Sequence, residues 1–225
     1  ADLSGIDHSR LKTLWSVLEY HADTRPDAIA LKFEGRETTY AQLREAALNL
    51  AVVLAGEGVG HGSRVGYLGK NNDHYFGLLF ALARLGAVMV PLNWRLAPDE
   101  WAYIVNDAQI GRIFCDAEFS IDASRLAADA GLVPASEIPH PAASVQPDLQ
   151  LALPASDDVV FQVYTSGTTG RPKGAQLSHA NLLALRAPGS ISASTICIAA
   201  KISQPGCARP STALPRAQRQ QSRLL

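Results

Sequence analysis

Cysteine, methionine and charge are all scarce in this chain. Among 225 residues there are 3 cysteines and 1 methionine. Cys115, Cys197 and Cys207 lie too far apart to form a disulfide framework or a zinc-binding pattern. Charged residues make up 18% against 47% hydrophobic, a balance too apolar for a disordered chain. The formal net charge of −1 supplies no strong field towards nucleic acid or anionic lipid. Long apolar runs are missing as well. The most apolar stretch, Phe76 to Leu92, is broken by Arg84, Gly86 and Pro91 and is too short for a membrane span. No basic-then-apolar segment opens the sequence, so a reducing, cytoplasmic compartment is expected. The first residue is Ala1 and not Met, which suggests a processed or truncated N-terminus.

Acidic residues are absent from Arg186 onwards. The chain up to Leu185 carries −7 and the remainder +6. This tail also holds four of the 13 prolines and no aromatic residue, and its apolar residues follow no helical or alternating period. A basic interaction arm is one reading of such a shift. The expectation favoured here is an aberrant tail over 186–225, as after a change of reading frame, because Ile191, Ile196, Cys197, Ile198 and Ile202 suit a solvated arm poorly.

Before that point, apolar spacing is orderly. A helix is predicted over Arg10–Asp23, a hairpin about Glu34-Gly35-Arg36, and a helix opened by the capping box Thr39/Gln42. The latter should turn Leu43, Ala46, Ala47, Leu50, Val53 and Leu54 inward and stop in the glycines at 56, 58 and 60. Strands are predicted at Arg64–Leu68, Ala87–Leu92 and Ile110–Cys115. Between them lie a helix over Asp73–Leu85, burying Phe76, Leu79, Leu82 and Ala83, and a helix started by Pro98. Strand–helix alternation with short connections predicts an α/β fold with a mainly parallel sheet flanked by helices. Pro134–Pro154 reads as an extended surface connector, followed by a buried strand at Asp158–Tyr164, an extended Ala175–Leu177, and a helix capped by Ser178.

One segment stands apart: Tyr164-Thr165-Ser166-Gly167-Thr168-Thr169-Gly170-Arg171-Pro172-Lys173-Gly174. Its glycines let the backbone turn close to a ligand, its hydroxyls supply donors, and Lys173 supplies a fixed positive charge. Each charge-assisted hydrogen bond is worth roughly 1.5–3 kcal/mol, so several together can hold a polyphosphate against water. The usual nucleotide P-loop runs into a helix directly after its lysine. Here Pro172 disfavours helix at Arg171, so the segment should lead into extended chain.

The stretch YTSGTTGRPKGAQLSHANLL resembles the phosphate-loop signature of the AMP-forming acyl-CoA synthetase, luciferase and adenylation-domain superfamily. Thr39-Tyr40-Ala41-Gln42-Leu43, Gly66-Tyr67-Leu68-Gly69-Lys70-Asn71, ALARLGAVMVPL and NWRLAPDEWAYIVND follow the same order, so the resemblance covers about Leu11 to Leu185. The last two look most like fatty-acyl- or aryl-acyl-CoA ligases. The resemblance implies the N-terminal portion of that family's large domain, over 1–185. It implies ATP, Mg2+ and coenzyme A as ligands and a fatty or aryl carboxylic acid as substrate, joined first to AMP and then to a thiol. Carried over residue by residue, Thr165, Ser166, Gly167, Thr168, Thr169, Gly170 and Lys173 would bind the triphosphate. Lys173 would be the catalytic cation, and Thr168 would lie near the metal. Nothing after Leu185 matches the family's adenine-binding motif, its Tyr-Gly-x-Thr-Glu type segment, its ribose-binding Asp, its hinge or its C-terminal lysine. The expectation is a truncated ligase that is inactive by itself, with an unpaired strand edge and an uncovered apolar face. A non-catalytic nucleotide-binding module and an adenylation module loading a carrier protein are the alternatives.

Several isolated residues have simpler readings. His179 fits the first turn of a helix better than a ligand role. Asp157-Asp158 fits a solvated loop end, and Asp73-His74 fits helix entry. Cys115 reads as a small buried hydrophobe, and Trp94 and Trp101 as packing for the helix after Pro98.

Overall fold

The computed structural model describes residues 11–70, 72–139, 152–165 and 171–184. In chain order these form α1 (Leu14–Thr24), β1 (Ile29–Phe33), β2 (Arg36–Thr39), α2 (Tyr40–Gly56), β3 (Arg64–Gly69), α3 (Asp73–Leu85) and β4 (Val88–Asn93). There follow α4 (Pro98–Asp107), β5 (Arg112–Cys115), a 3₁₀ turn (Ala117–Phe119), α5 (Ser120–Asp129), β6 (Val159–Thr165), β7 (Lys173–Ser178) and α6 (His179–Ala184).

Helix ends are set by local chemistry. In α2 the Thr39 hydroxyl accepts from the Gln42 amide at 3.2 Å while the Gln42 side chain accepts from the Thr39 amide at 2.9 Å, the reciprocal cap expected from sequence. A second such cap, Thr13 with Ser16, starts α1 at Leu14, later than the Arg10 expected from apolar spacing. Asn72 caps α3 through the Tyr75 amide at 2.8 Å. Gly86 ends α3 in the left-handed conformation at φ 67°, where a side chain would be strained. Pro98 opens α4, and Glu100 accepts from the Ala97 amide at 2.9 Å.

The main sheet has the order β5-β3-β4-β6-β7. β3 runs parallel to β4 from Arg64↔Val88 to Gly69↔Asn93, and to β5 from Val65↔Arg112 to Leu68↔Cys115. β6 is parallel to β4 at Met89↔Phe161, and β7 is the antiparallel edge. Alternation along the strands serves two apolar layers. Val65, Tyr67, Met89, Phe114 and Phe161 pack with α1, α2 and α3. Leu68, Val88, Val90, Ile113 and Cys115 pack with α4 and α5 on the other face. The chain is thus α/β, mainly parallel and covered by helices on both faces.

Several expectations need correction. Phe76 is only partly buried, and Tyr75 takes the inward place on α3. On α2, Ala46 is exposed and Val53 half-buried, because the helix packs along a narrower stripe through Leu43, Ala47, Leu50 and Leu54. α5 was not foreseen, since its buried side is only Ala123, Leu126 and Ala127. The start of the expected surface connector is tied to the fold: Ser136 bridges Phe114 in parallel, and Ile138 is buried. An uncovered apolar face is not found among the described residues. Large exposed hydrophobic side chains there are confined to Ile29, Ile121, Val133 and Leu153. Residues 140–151 of the connector and the tail over 186–225 lie outside the described residues.

Candidate functional site

The Gly- and Thr-rich segment joins β6 to β7, and so leaves the sheet at the carboxyl end of a strand parallel to β4. That edge is where open α/β sheets hold their ligands. The two strands pair directly up to its shoulders, with Thr165 opposite Lys173 and Tyr164 opposite Gly174. Of the seven residues expected to hold phosphate, the structure brings Thr165 and Lys173 together. Ser166, Gly167, Thr168, Thr169 and Gly170 lie outside the described residues. Lys173 begins β7, so the chain after Pro172 is extended, as the proline implied. Both Thr165 and Lys173 are exposed. Lys173 has no carboxylate partner among the described residues.

Beneath the shoulders runs a polar row that sequence reasoning missed. Gln162 is buried, and its amide donates to the Tyr164 hydroxyl at 2.9 Å. Its carbonyl oxygen accepts from Arg64 Nε at 3.3 Å. The Tyr164 hydroxyl donates in turn to Asp107 Oδ2 at 2.5 Å. Partial burial first, and then Asp107, push the Tyr164 phenol above its ordinary value. Gly174 has a steric reason: a Cβ there would lie 2.8 Å from both Tyr164 Cζ and Gln162 Nε2.

A second cluster occupies the same edge of the sheet at the ends of β3 and β5. Asp116 accepts from the Lys70 amide at 2.7 Å, from Asn72 Nδ2 at 2.8 Å and from the Tyr67 hydroxyl at 2.5 Å. Burial, followed by the Asp116 contact, raises the Tyr67 phenol. Lys70 reaches Glu118 at 2.8 Å and lies 5.3 Å from the centroid of the Trp94 ring. Gly69 is confined here, since a Cβ would fall 2.5 Å from Asp116 Oδ2. These contacts fasten the β3–α3 turn to the end of β5.

The isolated residues take the structural roles expected of them. His179 is the first residue of α6 and fully buried, with Nδ1 accepting from the Leu14 amide at 3.1 Å. Burial lowers its pKa to about 4. Asp158 closes the turn before β6 by accepting from the Ala155 amide at 2.8 Å, and it lies 3.0 Å from His61 Nε2. Asp73 opens α3 and accepts twice from Arg36, at 3.0 and 3.1 Å. Cys115 is buried, which pushes its thiol up to about 11. Trp101 is buried and donates to the Asn93 carbonyl at 2.9 Å. Among the described residues, no helix is long and apolar enough to cross a membrane.

Comparison with known proteins agrees with this geometry. The family model described as "AMP-binding enzyme" matches residues 18–199, running past the boundary drawn at Leu185. A fatty acid–[acyl-carrier-protein] ligase, ScoC, from Streptomyces coeruleorubidus is 36% identical over 185 residues, covering 80% of this chain and 36% of the relative. A feruloyl-CoA synthase from an Amycolatopsis species is 42% identical over 158 residues, covering 70% of this chain and 31% of the relative. Among solved structures, a Mycobacterium tuberculosis fatty acyl CoA synthetase superposes with a TM-score of 0.66 at 31% identity, over 77% of this chain and 36% of that one. The chain therefore spans about a third of the length of the curated relatives it matches. A family-model match over most of its length, with relatives 36% and 42% identical, places this chain in the AMP-binding enzyme family.

Proposed function

We propose that this chain carries the triphosphate-handling part of a ligase that activates a fatty or aryl carboxylic acid. The observation carrying this reading is the Thr165↔Lys173 pair, which puts a hydroxyl and an exposed ammonium at the two ends of a Gly- and Thr-rich segment. In the first step a carboxylate oxygen attacks the α-phosphorus of ATP. The bond to the bridging oxygen breaks, leaving an acyl-adenylate and pyrophosphate. Negative charge grows on the departing pyrophosphate, and Lys173 and the Thr165 hydroxyl would hold and neutralise it. Magnesium, when bound, would add charge neutralisation on the same phosphates. In the second step a thiol sulfur attacks the acyl carbonyl, AMP leaves with the bonding electrons, and the thiol proton passes to solvent. We assign coenzyme A as the thiol. A carrier-protein thiol is the second reading, favoured by the likeness to ScoC.

The phosphate reading is tested by titrating inorganic tripolyphosphate into the 225-residue chain and following its amide signals by NMR. Shifts should centre on Thr165 and Lys173, and Lys173→Met should weaken binding about tenfold, the loss of one charge-assisted contact. Shifts centred on another part of the fold would remove the reading. We further propose that residues 1–225 taken alone complete neither step, since they span about a third of the length of the relatives they match. Pyrophosphate–ATP exchange by the purified chain with fatty or aryl acids should be at background, and robust exchange would contradict this.

A further inference from the structure

We propose that α4 acts as an outside brace for the phosphate-binding turn, with Tyr103 and Asp107 as positioning residues that hold its two shoulders. The proposal rests on the phosphate reading above and extends it to residues 57 and 68 positions away in sequence. The two side chains lie one helical turn apart on α4 and reach opposite ends of the turn. Asp107 Oδ2 accepts from the Tyr164 hydroxyl at 2.5 Å, just before it. The Tyr103 ring lies 5.4 Å from Arg171 Cζ, just after it. Tyr103 also directs its hydroxyl to the other oxygen of Asp107 at 3.4 Å, so the two braces are joined.

The hold on Tyr164 passes to Lys173 through the backbone. The Tyr164 side chain lies across Gly174, where an added Cβ would come within 2.8 Å of the ring, and Gly174 is the neighbour of Lys173 on β7. Fixing the phenol therefore fixes the height at which the Lys173 ammonium leaves the edge strand. Gln162 fixes the same hydroxyl from beneath at 2.9 Å. Asp107 is also misplaced by local criteria. It sits in the last turn of α4, where the helix dipole disfavours a carboxylate and where no basic residue compensates. A residue that breaks a local rule and is matched by a long-range partner points to a role beyond the helix itself.

The test uses the full chain without nucleotide. Residue-resolved amide exchange is measured for Asp107→Leu, Asp107→Asn and Tyr164→Phe. In Asp107→Leu and Tyr164→Phe, exchange at Tyr164, Thr165, Lys173 and Gly174 should rise about tenfold while β3 and β4 stay as in the wild type, since one charge-assisted hydrogen bond is lost. Asp107→Asn keeps an acceptor oxygen and should restore most of the protection, a rescue that a merely structural loss would not show. Tyr164→Phe retains the ring over Gly174 and gives a folded comparison should Asp107→Leu fail to fold. Unchanged exchange at the shoulders, or an equal rise throughout β3 and β4, overturns the brace. Tripolyphosphate binding at Thr165 and Lys173 that survives such a result would leave the phosphate reading standing alone. A brace seen by exchange in a chain whose shoulders ignore tripolyphosphate would overturn the phosphate reading and the purpose assigned to the brace.

Discussion

The β3–β4–β5 layer and the β6–β7 hairpin are built on different terms. β3 and β4 share six paired positions, and five of the six residues of β4 are buried. β6 meets β4 at the single pair Met89↔Phe161, and the first four residues of β7 are exposed. The first region is held by apolar side chains packed from both faces. The second roots Val160 and Phe161 in the same apolar core, while its outer end is held by its own pairing and by the Tyr164–Asp107 bond to α4. A rigid apolar layer can thus carry a hairpin whose outer end is positioned by a few directed bonds, which would suit the phosphate-binding role proposed for the segment it supports.

The contrast is attacked hardest in the apolar layer. Leu82 on α3 is fully buried, and Leu82→Ala should cost about 2–5 kcal/mol in urea unfolding, by lost transfer energy and the cavity left behind. A cost under about 1 kcal/mol would mean the layer is loosely packed and the contrast false. The next effect is a pH dependence. His179 is neutral in the fold because burial lowers its pKa from 6.5 to about 4. Between those values the unfolded chain binds the extra proton, so this stability is complete above about pH 6.5 and is lost as pH falls towards 4. The loss should total roughly 3 kcal/mol, at about 1.4 kcal/mol per pH unit. His179→Gln should flatten that slope in urea unfolding measured from pH 7 to 4.5, and an unaltered slope would assign it to other groups. The smallest effect belongs to the hairpin edge. Gln176 is exposed and touches Gln162 at 3.5 Å, so Gln176→Ala should change stability by less than about 0.5 kcal/mol.

What could be read in advance follows the same division. Thr39/Gln42, Gly86 and Pro98 act within one helical turn, so their consequences are visible in adjacent letters. The parallel strands were legible because apolar runs alternated with amphipathic helices. The antiparallel sense of β7 was not, since the direction of a short extended segment depends on the turn before it. Asp107 and Tyr164 are 57 positions apart, and Tyr67 and Asp116 are 49 apart. Neither pair leaves a periodic trace, and only the folded sheet brings them together. For the site, the loop's composition suggested the phosphate reading proposed above, while Asp107 and Tyr103, which pack against its shoulders, gave no signal.

The bond between the Leu14 amide and His179 spans 165 positions and ties α1 to α6. On a ribosome adding about 5–20 residues per second, the amide at the head of α1 waits roughly ten to thirty seconds for its acceptor. Water must serve that N–H in the interval, although α2 and α3 are already available to pack against α1. Birth order and closure order therefore differ: α1 is sealed by a residue that emerges 165 positions after it, and a nascent chain halted before position 179 would carry α1 unlatched.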